Sequence, residues 1–330
     1  MHEISVIISN FNGAKWLPRL METLREQRGV SLEIIVVDRN STDGSAELLA
    51  TFPGVKVVSH PPETGLVCGY AFGYQSATKD LLFFMNEDMW LEPECLKRTA
   101  DAIDLKNRVG ATMPVQRTYD LSGLVNTGCW YVPSFWYPAC PYPFRGARFR
   151  VPDRTIRSSQ INAGACMVHR MVYEQAGGWD TSFFLDYEDT DFSLRLWQLG
   201  WWSVVVPSAV IGHAVGASNA QTIVKTQTKV SKKRYIEGGA NVIAICIKTF
   251  STHLMWLPLL GIAERWLRNV LRGRFEQAGW DIAQVRFIFR RLPELLEYRH
   301  AHRRQNECCP GEEFFKAPEF DFRNLEHVAS

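Results

Sequence analysis

Leu32-Glu33-Ile34-Ile35-Val36-Val37-Asp38-Arg39-Asn40-Ser41-Thr42-Asp43-Gly44 is the stretch that decides the fold. A short β-branched run stopped by a cluster of turn-forming polar residues is a buried strand running into a loop. The same reading extends in both directions. Ile4–Ile8 is a strand that ends in Ser9-Asn10-Phe11-Asn12-Gly13, and Trp16, Leu17, Leu20, Met21 and Leu24 follow at helical spacing. Downstream, Ser41 or Thr42 suits the cap of a helix that carries Leu48 and Leu49. Val55–Val58 reads as a third strand, and a glycine-spaced helix (Gly65, Gly69, Gly73) runs to about Ala77. Leu81–Met85, a fourth strand, meets Asn86-Glu87-Asp88. Strand–loop–helix alternation predicts an α/β fold with a doubly wound, mostly parallel sheet flanked by helices. Ligands of such sheets sit at the carboxyl ends of the strands, where these polar clusters fall.

The remainder changes character twice. Residues 130–149 hold eight aromatics and four prolines, which predicts an irregular aromatic loop or lid. From Ala163 regularity returns as a glycine-rich strand, a helix over 189–199 and a strand Trp202–Val206. Beyond 216 the segments read as basic amphipathic helices, and 306–330 as a tail. The formal net charge of +2 conceals this division. Residues 225–304 carry 16 Lys/Arg against 6 Asp/Glu, a local +10, which leaves the rest at −8. With 46% hydrophobic and 22% charged residues the chain is neither disordered, collagenous nor polytopic in a membrane. The eight cysteines show no CxxC pair and no metal spacing, and Met1-His2-Glu3 lacks a basic leader, so a reduced, cytoplasmic chain is expected.

Asp38 and Asp43 offer carboxylates that can accept hydrogen bonds from a base or ribose; an Asx-turn or cap explains Asp43 equally well. Asn86-Glu87-Asp88 closes an apolar strand, and acids there suit a hard divalent cation that also touches phosphate oxygens. Gly178-Trp179-Asp180 and Asp186-Tyr187-Glu188-Asp189-Thr190-Asp191 place five acids within twelve residues. A negative first turn accounts for some of them. Carboxylates held together also tend toward raised pKa values, which suits a general base. His213 has no evident partner in the sequence. Glycines spaced by four do not make a dinucleotide fingerprint, and no P-loop, HExxH or GxSxG is present.

In order, Val37–Ser45, Asn86-Glu87-Asp88, Gly164-Ala165, Gly178-Trp179-Asp180 and Glu188-Asp189-Thr190-Asp191 resemble the family 2 glycosyltransferases with a GT-A fold. The similarity runs from about residue 4 to 218. The later His213–Ser218 is most similar to the bacterial rhamnosyltransferase-type members. The resemblance implies a nucleotide-sugar-binding half (1–110), an acceptor-binding and catalytic half (111–218), a basic helical region (219–305) and a tail (306–330). It further implies that Ser9, Asn12, Asp38, Asp43 and Asn86 bind the donor nucleotide. Asp88 and His213 would hold Mg²⁺ or Mn²⁺ against the donor diphosphate. Asp189 would be the general base, with Glu188 beside it, and Gly164, Trp179, Asp180 and Glu188 would face the acceptor. Arg39 departs from the family, which usually has Asn there.

The expected reaction is inverting transfer of a sugar, rhamnose from a thymidine diphosphate (dTDP-rhamnose) in the first instance, to a glycan or lipid-linked acceptor in cell-surface polysaccharide synthesis. Two other classes compete: a sugar-phosphate nucleotidyltransferase and a non-catalytic carbohydrate-binding protein. The first would need a glycine-rich N-terminal loop, but residues 9–16 hold one glycine. Nucleic acid is not expected as a partner, because the basic residues match no reader motif. The apolar segment 242–263 is interrupted by Lys248, His253 and Pro258, so a membrane span is not expected. Basic amphipathic helices suit the anionic inner face of the cytoplasmic membrane, and packing on the catalytic domain or another subunit explains them equally well.

Overall fold

The computed structural model describes residues 1–60, 65–126, 130–132, 140–142, 151, 154–184, 186–214, 232–250 and 255–302. The first half alternates as the sequence predicts: β1 (His2–Asn10), α1 (Leu17–Arg25), β2 (Val30–Asp38), α2 (Ser45–Leu49), β3 (Val55–Ser59), α3 (Leu66–Tyr74) and β4 (Leu81–Asn86). Then follow β5 (Met89–Leu91), α4 (Cys95–Asp101), β6 (Val109–Thr118), β7 (Leu124–Asn126), β8 (Trp130–Val132), β9 (Cys140–Tyr142) and β10 (Ile156–Ser158). Next come β11 (Ala165–His169), α5 (Arg170–Gln175), α6 (Glu188–Gln198) and β12 (Trp202–His213). Three helices close the described chain: α7 (Lys232–Thr249), α8 (Leu257–Leu271) and α9 (Phe275–Ala301).

One sheet runs in the order β10-β12-β6-β11-β4-β1-β2-β3, with β5 on β12 and β7 on β6. The β3-β2-β1-β4 part is parallel, with Ser9 opposite both Val37 and Asn86, so three polar loops emerge at one edge. Beyond it the sheet is mixed, because β11 is antiparallel to both β4 and β6. Period-two alternation sends side chains to two cores. Ile4, Val6, Ile8, Phe83 and Met85 pack on the side of α1 and α4. Ile7, Leu82, Phe84, Cys166 and Val168 pack with Val67, Tyr70 and Phe192 of α3 and α6. A third core joins Phe183 and Leu194 to Ile243, Ile247, Ile262, Ile288 and Leu295. The C-terminal helices are thus docked on the segment that carries α6.

Two expectations change. Ser41 and Thr42 do not cap α2, whose N-cap is Gly44 in the left-handed region at φ 86°. The last strand does not stop at Val206. It continues past a register shift to His213, which therefore lies inside β12. The apolar run 242–263 is divided between α7 and α8, and among the described residues no helix is long and apolar enough to cross a membrane. In the aromatic stretch, β8 pairs antiparallel with β9. The remainder of the expected lid and the tail 306–330 lie outside the described residues.

Candidate active site

The loops after β1 and β2 are tied into one surface by short polar side chains. Asn10 Nδ2 donates to Asp38 Oδ1 at 2.7 Å and to Ser41 Oγ at 3.1 Å. Ser41 gives its hydroxyl to Asp38 Oδ1 at 2.6 Å and its backbone N–H to Oδ2 at 3.1 Å. Asn12 and Thr42 interlock, since Asn12 N–H donates to Ser41 Oγ and Thr42 N–H to Asn12 Oδ1, both at 2.9 Å. Asp43 accepts from Ala14 N–H at 2.8 Å and from both Ser45 N–H and Ser45 Oγ. Burial opposes these bonds, yet they hold the Asp43 carboxyl below its usual range. Asp43 therefore makes the Asx-turn that the sequence allowed. Ser9 is fully buried, and a Cβ on Gly69 would come within 2.4 Å of its Oγ. It packs under α3, not toward an open crevice.

Asn86, at the end of β4, accepts from the Tyr70 hydroxyl at 2.8 Å and gives its N–H to Gly164 O at 2.9 Å. Two residues on, Asp88 is buried (5% exposed). Its Oδ1 has no hydrogen-bond partner among the described residues, and it lies 3.3 Å from His213 Nε2. The other imidazole nitrogen, Nδ1, is 3.2 Å from Gln116 Oε1. Gln116 Nε2 in turn donates to Asn162 Oδ1 at 2.9 Å, so the amide oxygen faces the histidine and Nδ1 carries the proton. The Nε2 lone pair then faces a carboxylate oxygen. An imidazole nitrogen and a carboxylate oxygen facing each other could hold a divalent cation between them, and the Gln116 bond is of the kind that orients a histidine for such a role. No group of three His, Cys, Asp or Glu is gathered among the described residues. A cation held here would take its other ligands from water and phosphate oxygens, which is the usual habit of Mg²⁺. Neighbouring Glu87 is pushed up to about 8 by burial and by the charge of Asp88.

The second acidic centre opens α6. Asp189 and Glu188 line a cleft of about 340 Å³ with Gln160, Asp186, Tyr187, Thr190 and Arg234. Burial raises the Asp189 carboxyl to about 6, against hydrogen bonds from Thr190 N–H (2.7 Å) and Gln160. Glu188 rises to about 8 through burial and the charge of Asp189, and its Oε2 is shielded with no partner among the described residues. Before them, Asp186 (φ 65°) and Tyr187 (φ 70°) are consecutive non-glycine residues in the left-handed region. Each such residue costs ~1–3 kcal/mol and persists only where its surroundings hold it. Gly65 makes the loop before α3 fit here, since a Cβ on it would sit 2.1 Å from Phe184 O.

Residues 160–164 connect the two centres. Gln160 bonds Asp189, and Ile161 N–H donates to Ser193 Oγ, which donates to Asp189 O at 2.6 Å. On the other side Asn162 accepts from Gln116 and from Gly164 N–H. Gly164 lies between them and Asn86: a Cβ there would meet Asn162 Oδ1 at 2.8 Å and Asn86 Nδ2 at 3.3 Å. Sequence reading missed Asn10, Gln116, Gln160, Asn162 and Arg234. Gln116 is a polar residue inside a buried strand, which is the one signal that marked it.

Trp179 and Asp180 are placed away from this cleft. Trp179 is 4% exposed and packs edge and face against Phe84 and Phe192. Asp180 pairs with Lys248 at 2.8 Å. Both border a separate cavity of about 530 Å³ beside α9.

Residues 5–173, just over half of the chain, match the family described as Glycosyl transferase family 2. The N-acetylglucosaminyl-diphospho-decaprenol L-rhamnosyltransferase of Mycobacterium tuberculosis is 24% identical over 237 residues, covering 64% of this chain and 75% of that protein. The dTDP-rhamnosyl transferase RfbF of Shigella flexneri is 23% identical over 221 residues, 64% of this chain and 69% of its own. In fold, GalNAc-T7 with UDP, GalNAc and Mn²⁺ superposes with a TM-score of 0.58 at 15% identity, over 76% of this chain and 49% of that one. Staphylococcus aureus TarS 1–349 in complex with UDP gives 0.50 at 13% identity, over 74% of this chain and 65% of that one. With its mixed α/β sheet, the GT-A fold of these neighbours and this match, the chain belongs to glycosyl transferase family 2.

Proposed function

We propose that the protein transfers rhamnose from a thymidine diphosphate donor to a lipid-linked glycan acceptor, with inversion and with a divalent cation bound at Asp88 and His213. The observation that carries this reading is the segment 160–164, which ties a cation-type donor pair to a buried, raised-pKa carboxylate on one sheet edge. The relatives named above supply the choice of donor and acceptor class.

The interlocked loops of Asn10, Asn12, Asp38 and Asp43 form the floor for the nucleotide, and Asn86 lies beside them. A cation bound at Asp88 and His213 supplies charge neutralisation for the departing diphosphate. Asp189, ionised above about pH 6, accepts the proton of the acceptor hydroxyl as that oxygen attacks the anomeric carbon. The bond from the anomeric carbon to the diphosphate oxygen breaks on the opposite face, and the nucleoside diphosphate leaves with the electron pair. General-base assistance of this kind is worth roughly 10²–10⁴-fold. Glu188, neutral at pH 7 by its raised pKa, keeps a proton beside the acceptor and serves as a donor to its oxygens.

The C-terminal helices bring this site to an anionic membrane. Phe275, Ile282, Phe289 and Leu296 recur every seven residues along α9, and all are exposed. A seven-residue repeat drifts only ~20° per heptad, so they form one stripe. Leu267 and Leu271 are likewise exposed on α8, and Arg268, Arg272, Arg274, Arg286 and Arg290 are exposed on these helices and the turn between them. An apolar stripe with basic flanks is the pattern of a helix that lies in the headgroup layer.

The test is incubation of the purified protein and Mn²⁺ with dTDP-rhamnose and a synthetic N-acetylglucosaminyl-diphospho-lipid. Rhamnosylated lipid with inverted anomeric configuration supports the proposal. Turnover of a different nucleotide sugar overturns the donor assignment, and pyrophosphate release from a nucleoside triphosphate overturns the reaction class.

A further inference from the structure

The raised-pKa pair follows a turn that a C-terminal helix grips. Asp186 and Tyr187 are both left-handed, which a bulky residue such as tyrosine rarely adopts. Helix α7, more than forty residues downstream, supplies the hold. Arg234 Nε and Nη2 donate to the two oxygens of Asp186, each at 2.7 Å. Two helical turns further on the same face, Asn241 (2% exposed) donates its side-chain amide to Asp186 O at 3.0 Å. The Tyr187 ring packs against the third core, to which α7 contributes Ile243 and Ile247. Both chemical handles of Asp186, carboxylate and carbonyl, are thus taken by one helix.

That helix is itself fixed. Gln284 Nε2 donates to Tyr235 O, and a Cβ on Gly239 would meet that same amide at 2.2 Å, so α7 and α9 approach closely. The Tyr235 hydroxyl donates to Asp281 Oδ1 at 2.8 Å, and Asp281, fully buried, also accepts from Arg265 and Asn269 of α8. Arg299 of α9 donates to the Ile247 and Phe250 carbonyls at the far end of α7.

We propose that the C-terminal helices complete the catalytic site, with Arg234 and Asn241 of α7 acting as positioning residues that hold the Asp186–Tyr187 turn and thereby aim Asp189. The inference rests on the reading of Asp189 as the base. A turn displaced by about an ångström is enough to cost roughly 10²-fold in rate. Arg234 is itself exposed, so its removal costs much less than breaking a buried pair and leaves the chain folded. The charges facing Glu188 and Asp189 are Asp186 on their own turn and Arg234 on α7; Tyr70 of α3 and Cys166 of β11 are the neighbouring neutral titratable groups. Asp186 raises both carboxyls, and the Arg234 cation bonded to it offsets that charge, so loss of Arg234 leaves the Asp186 charge uncompensated beside Asp189 and moves the acid limb of the rate to higher pH.

The experiment compares full-length Arg234→Ala, Asn241→Ala, Arg234→Lys and the double variant Arg234→Ala/Asp186→Ala with wild type, using dTDP-rhamnose and the synthetic lipid acceptor. Expected are a fall of ~10–100-fold in kcat for the first two, with KM for the donor within twofold and Tm for Arg234→Ala unchanged. The acid limb of Arg234→Ala moves up; the double variant returns it to the wild-type position while kcat stays low, and Arg234→Lys recovers part of kcat. Unchanged kcat in both single variants overturns the proposal. So does a loss of kcat that comes with a raised donor KM and a lowered Tm of Arg234→Ala, as a general loosening of the fold would give. Asp189→Asn run in parallel separates the two readings: full turnover by that variant removes the base assignment and this inference with it. Loss of turnover there alongside normal Arg234→Ala and Asn241→Ala removes only the role of α7.

Discussion

Asp88 Oδ1 and His213 Nε2 lie 3.3 Å apart in a buried pocket, and neither can satisfy the other while the histidine is neutral. Gln116 accepts from Nδ1 and so turns the Nε2 edge of the ring toward the carboxylate. Asp88→Ala should therefore abolish Mn²⁺-dependent binding of dTDP. Gln116→Ala, one step removed, should weaken the Mn²⁺ dependence ~10–100-fold while leaving the fold intact. Calorimetric titration of dTDP with and without Mn²⁺ measures both, and unchanged metal dependence in Asp88→Ala contradicts the assignment.

The pH dependence follows from Asp189. A base must be ionised, and burial raises this carboxyl to about 6, so kcat should fall as pH drops through about 6. An ordinary exposed aspartate would keep its activity to about pH 4. A kcat profile with its acid limb near 4 would show that the cleft does not tune this group.

Glu188 makes an opposite prediction for stability. Its folded pKa of about 8 lies above the ordinary 4.5, so the proton it holds stabilises the fold fully below pH 4.5. That contribution is lost as pH rises through about 8. Glu188→Gln mimics the protonated form and should match the wild-type Tm at pH 4.5 but exceed it at pH 8.5. Each kcal/mol relieved adds ~2–4 °C for a domain of this size. A Tm difference that is the same at both pH values counts against a buried, raised Glu188.

Lys248 joins α7 to the catalytic half beneath these groups. It is 2% exposed and bonded to Asp180 at 2.8 Å and Asp191 at 2.5 Å, with Arg195 on the other side of Asp191. Lys248→Met strands buried carboxylate charge and should cost ~3–5 kcal/mol. Urea denaturation measures it, and a loss below the ~1 kcal/mol of an exposed pair would show the network to be solvated.

Membrane docking is tested on the α9 stripe. Phe275→Glu/Phe289→Glu should release the protein from vesicles containing anionic lipid while leaving turnover of a soluble acceptor unchanged. High salt should weaken the wild-type interaction, since the basic flank acts over about a Debye length. Retained binding in the double variant contradicts the surface assignment.

Much of this was legible in the chain because local chemistry decides it. The β-branched runs and their polar stops gave β1, β2 and β4 to within a few residues, and the acids at their ends fall at the site. What escaped was long-range. Ser41 looks like a cap in sequence, but Asn10 and Asp38 from two different strand ends claim it. His213 looked isolated, because its partners Gln116 and Asp88 are each about a hundred residues away or more. The family resemblance puts Trp179 at the acceptor with Asp180, yet the aromatic neighbours that bury it come from β4 and α6. The hold of α7 on Asp186 crosses 48 residues and leaves no local signal.

The most direct measurement is single-turnover transfer from dTDP-rhamnose to the lipid acceptor by wild type and Asp189→Asn, with dTDP affinity determined on the same preparations. The account predicts transfer reduced at least ~10²-fold with nucleotide affinity unchanged, because Asp189 lies on α6 and the nucleotide floor on the loops after β1 and β2. Transfer at the wild-type rate, or loss of transfer and nucleotide binding together, would contradict it.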